Sequence, residues 1–122
     1  MAANLAYRLG VTLESAQAPG AALASEAPFA LSYSGLYEQG SSDRHVLTGA
    51  GTKNLDFGTV SAAGAKGILV YYEAGSAPIT VGGIELTQGG IFLVHNPAPT
   101  AGETALAVVH TADATIRCRI LA

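Results

Sequence analysis

Three histidines, His45, His95 and His110, are the residues of this chain best suited to hold a metal ion, because neutral imidazole is a common metal ligand. Their surroundings point elsewhere. His110 stands in step with Leu106 and Val108, and His95 with Ile91 and Leu93, as single histidines at strand ends do. A carboxylate pair for glycoside hydrolysis has Asp56, Glu73 and Glu85 as its mid-strand candidates, and each is explained by facing water opposite an apolar residue. "TGAGTKN" (48–54) resembles a phosphate loop, but it lacks the Gly-Lys-Ser/Thr ending and no helix follows, so it reads as a turn. The serines of "YSG" (33–35) and "GSA" (75–77) lie outside any Gly-x-Ser-x-Gly elbow. Tyr33, Tyr37, Tyr71 and Tyr72 could stack on a sugar, yet there is no Trp, and tyrosines on alternating strands more often join a core or a subunit contact. The residues name no catalytic set, cofactor or metal site, and a non-enzymatic role is expected.

The elements that carry these residues read as strands. In "LAYRLGVTLE", Leu5, Tyr7, Leu9, Val11 and Leu13 share one face of a half-buried strand. "SAQAPGAALASEAP" (15–28) loses the alternation and predicts a long connection, and "FALSYSGLYE" resumes it through Phe29, Leu31, Tyr33 and Tyr37. "QGSSD" (39–43) reads as a loop. Eight short runs follow: "RHVLTG", "NLDFGTV", "KGILVYYEA", "PITV", "IELT", "GIFLVHN", "TALAVVH" and "TIRCRILA". Gly, Pro, Ser or Asp bounds each, and none has helical periodicity. About 8–10 strands with one long early connection predict an antiparallel, jelly-roll-like β-sandwich, all-β, in one domain spanning residues 1–122. A Gly82-Gly83 turn would pair Val81 with Ile84 and Ile79 with Leu86. "NPAPTAGE" (96–103) reads as a stiff surface loop. The final strand should bury Ile116, Cys118 and Ile120 and expose Arg117 and Arg119.

Composition narrows the partners. Charged residues make up 12% of the 122, against about 25% in an average globular protein, and apolar residues make up 49%. Six Lys and Arg spread singly in a chain of net charge -3 offer no basic stripe, so no nucleic-acid partner is expected. No apolar run reaches the ~18–20 residues of a spanning helix, so no membrane partner is expected. Glu14 and Pro19 interrupt the one stretch resembling an export signal. The lone Cys118 excludes an internal disulfide.

The apolar excess sits in particular places. In "KGILVYYEA", Ile68, Val70 and Tyr72 face one way and Leu69 and Tyr71 the other, so both faces are apolar. "GIFLVHN" and "TALAVVH" share this character. A sandwich covers one face of each strand, and another chain is expected to cover the second. Glu73 shares the face of Leu69 and Tyr71, and a carboxylate is costly inside a core, so these two should point outward. Leu69, Tyr71, Phe92, Val94 and Val109 are the candidate oligomer interface.

Residues 44–122, with a "DFGTV" strand, an "AGAKGILV" strand, a "GGIFLV" strand, a Pro-rich loop and a final "RCRIL" strand, resemble the small β-sandwich virion structural proteins of tailed bacteriophages. The resemblance implies a virion location, no catalytic residues, and a homo-oligomer, trimer favoured, bound to other virion proteins such as the major capsid protein. It implies capsid decoration, or cement, as the leading role and a tail, fibre or baseplate adaptor as another. A carbohydrate- or receptor-binding sandwich is the alternative from a different class.

Overall fold

A computed structural model describes residues 5–13, 29–55, 57, 64–100, 102 and 105–122. Ten strands follow in order: β1 Leu5–Leu13, β2 Phe29–Tyr37, β3 Gly40–Leu47, β4 Gly51–Leu55, β5 Gly67–Gly75, β6 Ile79–Val81, β7 Ile84–Leu86, β8 Ile91–His95, β9 Leu106–His110 and β10 Ala114–Leu121. The described residues contain no helix. Eight strands form two four-stranded antiparallel sheets, sheet I in the order β3-β10-β5-β8 and sheet II in the order β4-β9-β6-β7. Strands β3 and β10, β4 and β9, β5 and β8, and β6 and β7 are partners, so one long antiparallel ribbon winds into a jelly roll. The hairpin β1-β2 is a separate two-stranded sheet.

Alternation builds the core. Ile68, Val70, Tyr72, Ile116, Cys118 and Ile120 of sheet I meet Ile79, Val81, Leu106 and Val108 of sheet II, and all are buried. Seven of the core side chains are under 2% exposed, and each contributes about 1.5–3 kcal/mol relative to exposure. The Tyr72 hydroxyl donates to the carbonyl of Ala77 at 2.6 Å, which satisfies the one polar atom this ring brings into the core. Gly75 is required beside it, because a Cβ there would collide with that hydroxyl. Gly82 and Gly83, at φ 56° and 82°, make the tight turn that pairs Val81 with Ile84 and Ile79 with Leu86, as the sequence predicts.

Two segments differ from expectation. Gly40–Asp43 belongs to strand β3, where pairing with β10 supplies the backbone hydrogen bonds that polar side chains do not. This is an edge strand, and Ser41, Asp43 and His45 share its inner parity, with Asp43 still exposed at the edge, a placement that blunts pairing with other chains. In "TGAGTKN" only Thr48–Ala50 turns, and Gly51–Asn54 already pairs with β9. The expected 15–28 connection lies outside the described residues, as do Asp56 and 58–60 of the "NLDFGTV" run.

Candidate interaction surface

The register of sheet I lays its outer face out as a grid. One row across β3, β10, β5 and β8 reads Arg44, Arg117, Tyr71, Ile91, and the next reads Ser42, Arg119, Leu69, Leu93. The half over β5 and β8 is apolar, and the half over β10 and β3 carries three arginines, with Ser42 and the exposed Val46 beside them. Leu69, Leu93 and Ile91 are 37%, 39% and 59% exposed. Glu73 sits at a β-bulge against β10, and its Oε2 accepts from Arg44 Nε at 2.9 Å, so this carboxylate stays at the surface as its charge requires.

The candidate interface divides when placed on this grid. Leu69 and Tyr71 lie on the outer face as expected, while Ile68, Val70 and Tyr72 are buried inside. Phe92 pairs with Val70 and packs against the core, while Val94 pairs with Ile68 on the same side but stays 37% exposed at the sheet edge. The outward residues of β8 are instead Ile91 and Leu93. Both parities of "IFLVH" are apolar, so alternation could not say which one faces in. Val109 is 45% exposed on the outer face of sheet II, alone in a row of Thr52, Thr80 and Glu85.

Part of the outer face of sheet I is covered by the chain itself, which amends the expectation that another chain supplies the whole cover. Strand β1 runs along it and leaves a groove of about 690 Å³ lined by Leu9, Val11, Leu69, Ile91, Leu93 and Arg119 among others. Tyr7 Oη and His95 Nε2 share a hydrogen bond of 2.8 Å, and Tyr33 stacks at a tilt on His95 with ring centroids 4.8 Å apart. Tyr7 also meets Tyr33 and Tyr37 at 5.9 and 6.2 Å. Burial, and then the neighbouring Tyr33, push the Tyr7 hydroxyl pKa up. Lys66 Nζ donates to the carbonyl of Leu36 at 2.8 Å. Backbone bonds from Glu38 and Gln39 to the Ala122 carbonyl fix the base of the hairpin. Its apolar face is half-covered at Tyr7, Leu9 and Val11, while Leu5 is 46% exposed, Leu31 44% and Leu13 74%.

The residues weighed for chemistry do not converge. His45 lies inward on the edge of sheet I, His95 is taken up by Tyr7 and Tyr33, and the Nδ1 of buried His110 bonds the Gly49 carbonyl. Among the described residues no group of three or more His, Cys, Asp or Glu is placed to hold a metal ion. Glu73 and Glu85 stand on the outer faces of opposite sheets, and Asp56 lies outside the described residues. Tyr72 is core, and Tyr33 and Tyr37 belong to the cluster at the hairpin base. Compared with known protein families, curated proteins and solved structures, the chain shows no match.

Proposed function

We propose that this chain is a non-enzymatic structural protein of a tailed-bacteriophage virion, a capsid decoration protein before a tail, fibre or baseplate adaptor. In this role it contacts its own copies and other virion proteins such as the major capsid protein. The observation that carries the reading, through the contact with other virion proteins, is the outward apolar surface. Leu69, Ile91 and Leu93 continue through the groove to the hairpin's Leu9, Val11 and Leu13, a contiguous patch of the kind that marks an interaction site. The virion itself comes from the resemblance of residues 44–122 to the phage β-sandwich proteins. Sugar binding is less favoured, because Tyr33 and Tyr37 already pack with Tyr7 and His95.

Mass spectrometry of purified phage particles, with sedimentation velocity of the isolated chain, tests this. The chain is expected in the particle at a fixed copy number and as an oligomer, a trimer by choice, in solution. Absence from the particle, together with a monodisperse monomer that binds a glycan array, would replace this reading with the carbohydrate-binding one.

A further inference from the structure

The charges of this chain are segregated in a way its net charge of -3 hides. All four arginines, Arg8, Arg44, Arg117 and Arg119, stand on sheet I's outer face or along its groove, and the one described acid on that face is Glu73. Arg44 and Arg117 are direct cross-strand partners, a like-charge pairing that weakens a sheet. Glu73 offsets one of the two. Among the described residues Arg117 and Arg119 have no carboxylate within salt-bridge distance. They also border the apolar half of the same face, directly opposite Tyr71 and Leu69. The fold thus keeps an unfavourable arrangement beside an exposed apolar strip.

We infer that the outer face of sheet I, with the groove under β1, docks an acidic and apolar segment of a different protein chain. The charge selects the sign of the partner, and the apolar half selects its class. A phosphate backbone would satisfy the arginines but leave Leu69, Ile91 and Leu93 in water, whereas a polypeptide alternating apolar and acidic residues satisfies both halves. A second copy is a poor occupant. Face to face it would set arginine against arginine, and its described acids do not gather elsewhere: Asp43 lies exposed on the inner side of the β3 edge, Asp113 accepts from the Gly49 amide, Glu85 stands alone on sheet II, and Glu38 lies at the hairpin base.

The inference rests on the assembly role proposed above, but its test does not require a virion. Fluorescence anisotropy on the isolated full chain uses three labelled probes: a blocked ten-residue peptide of alternating Leu and Glu, its Leu-Lys counterpart, and a short DNA duplex. The Leu-Glu peptide should bind saturably and more weakly as salt rises, and the other two should not bind. Arg117→Glu/Arg119→Glu should weaken binding by about fivefold or more. Thr52→Glu/Asn54→Glu, which adds acids to exposed positions of sheet II, should not. Arg117→Gln should raise Tm while weakening the peptide, because it relieves the repulsion with Arg44; arginines serving only the fold would not show this opposition. Failure of the Leu-Glu peptide to bind, equal binding of the Lys peptide, or preference for DNA overturns the inference. So does a change in the sedimentation of the chain alone on Arg117→Glu/Arg119→Glu, which would make a second copy the occupant. A chain absent from phage particles can still pass this test, and a particle-bound chain can fail it.

Discussion

Sheets I and II share one core yet turn different faces outward. Sheet II presents Thr52, Val109, Thr80 and Glu85 across a row, small or polar side chains that suit water, with a single apolar residue among them. Sheet I presents Arg44, Arg117, Tyr71 and Ile91, and beside them Ser42, Arg119, Leu69 and Leu93. Core packing asks nothing of either outer face, so this difference is not a demand of the sandwich. It teaches that the apolar excess of the composition is concentrated on one side, where the hairpin β1-β2 half-covers it.

Charging the inner side of β5 should have the largest effect. Val70→Asp places an unpaired carboxylate at a position with no exposure, and a loss of about 4 kcal/mol or more is expected. Circular dichroism should then show an unfolded chain, and a cooperative melt near that of the parent would mean the two faces are inverted.

A second measurement probes the inner side without substitution. Burial, then Asp43, push the Cys118 thiol from 9.0 to about 11, with Lys53 pulling the other way. With that pKa, thiol labelling of the native chain at pH 8 should be slower than in denaturant by about a hundredfold. The folded state holds this proton more tightly than the unfolded state does. Its contribution to stability is therefore present below about pH 9 and lost as the pH rises toward 11. Fast native labelling would place the other parity of β10 inside.

The smallest effects on the fold separate the outer faces. Tyr71→Asp on sheet I and Val109→Asp on sheet II should each change stability by less than about 0.5 kcal/mol in urea titrations. Co-sedimentation with phage particles should be lost for Tyr71→Asp and kept for Val109→Asp. Loss in both would make sheet II part of the contact as well.

Much of the fold was legible because period-two alternation and glycine turns are local. Tyr72, Ile116 and Val108 each declared the buried side of their strand, and Gly82-Gly83 declared its hairpin. Glu73 told the two faces of β5 apart, since a carboxylate avoids the core and carries its parity outward with it. Where a strand has no such polar marker the reading divides: Phe92, expected at the contact, packs against the core, and Val94 shares its parity yet is 37% exposed at the edge. "QGSSD" (39–43) reads as loop because an edge strand in water has the composition of a loop.

The strand pattern, the scarcity of charge and the buried side of β5 are written in local sequence, because these depend on residue type and spacing along one segment. Tertiary structure decided which strands are neighbours, and hence that Arg44 meets Arg117, that Leu69 meets Leu93, and that β1 lies over them. Neighbours across a sheet are set by long-range pairing, which joins Gly40 to Leu121 here, and packing of the hairpin on sheet I brings Tyr7 to His95. The cations look singly spread along the chain and become a cluster only when the ribbon β3–β10 closes on itself.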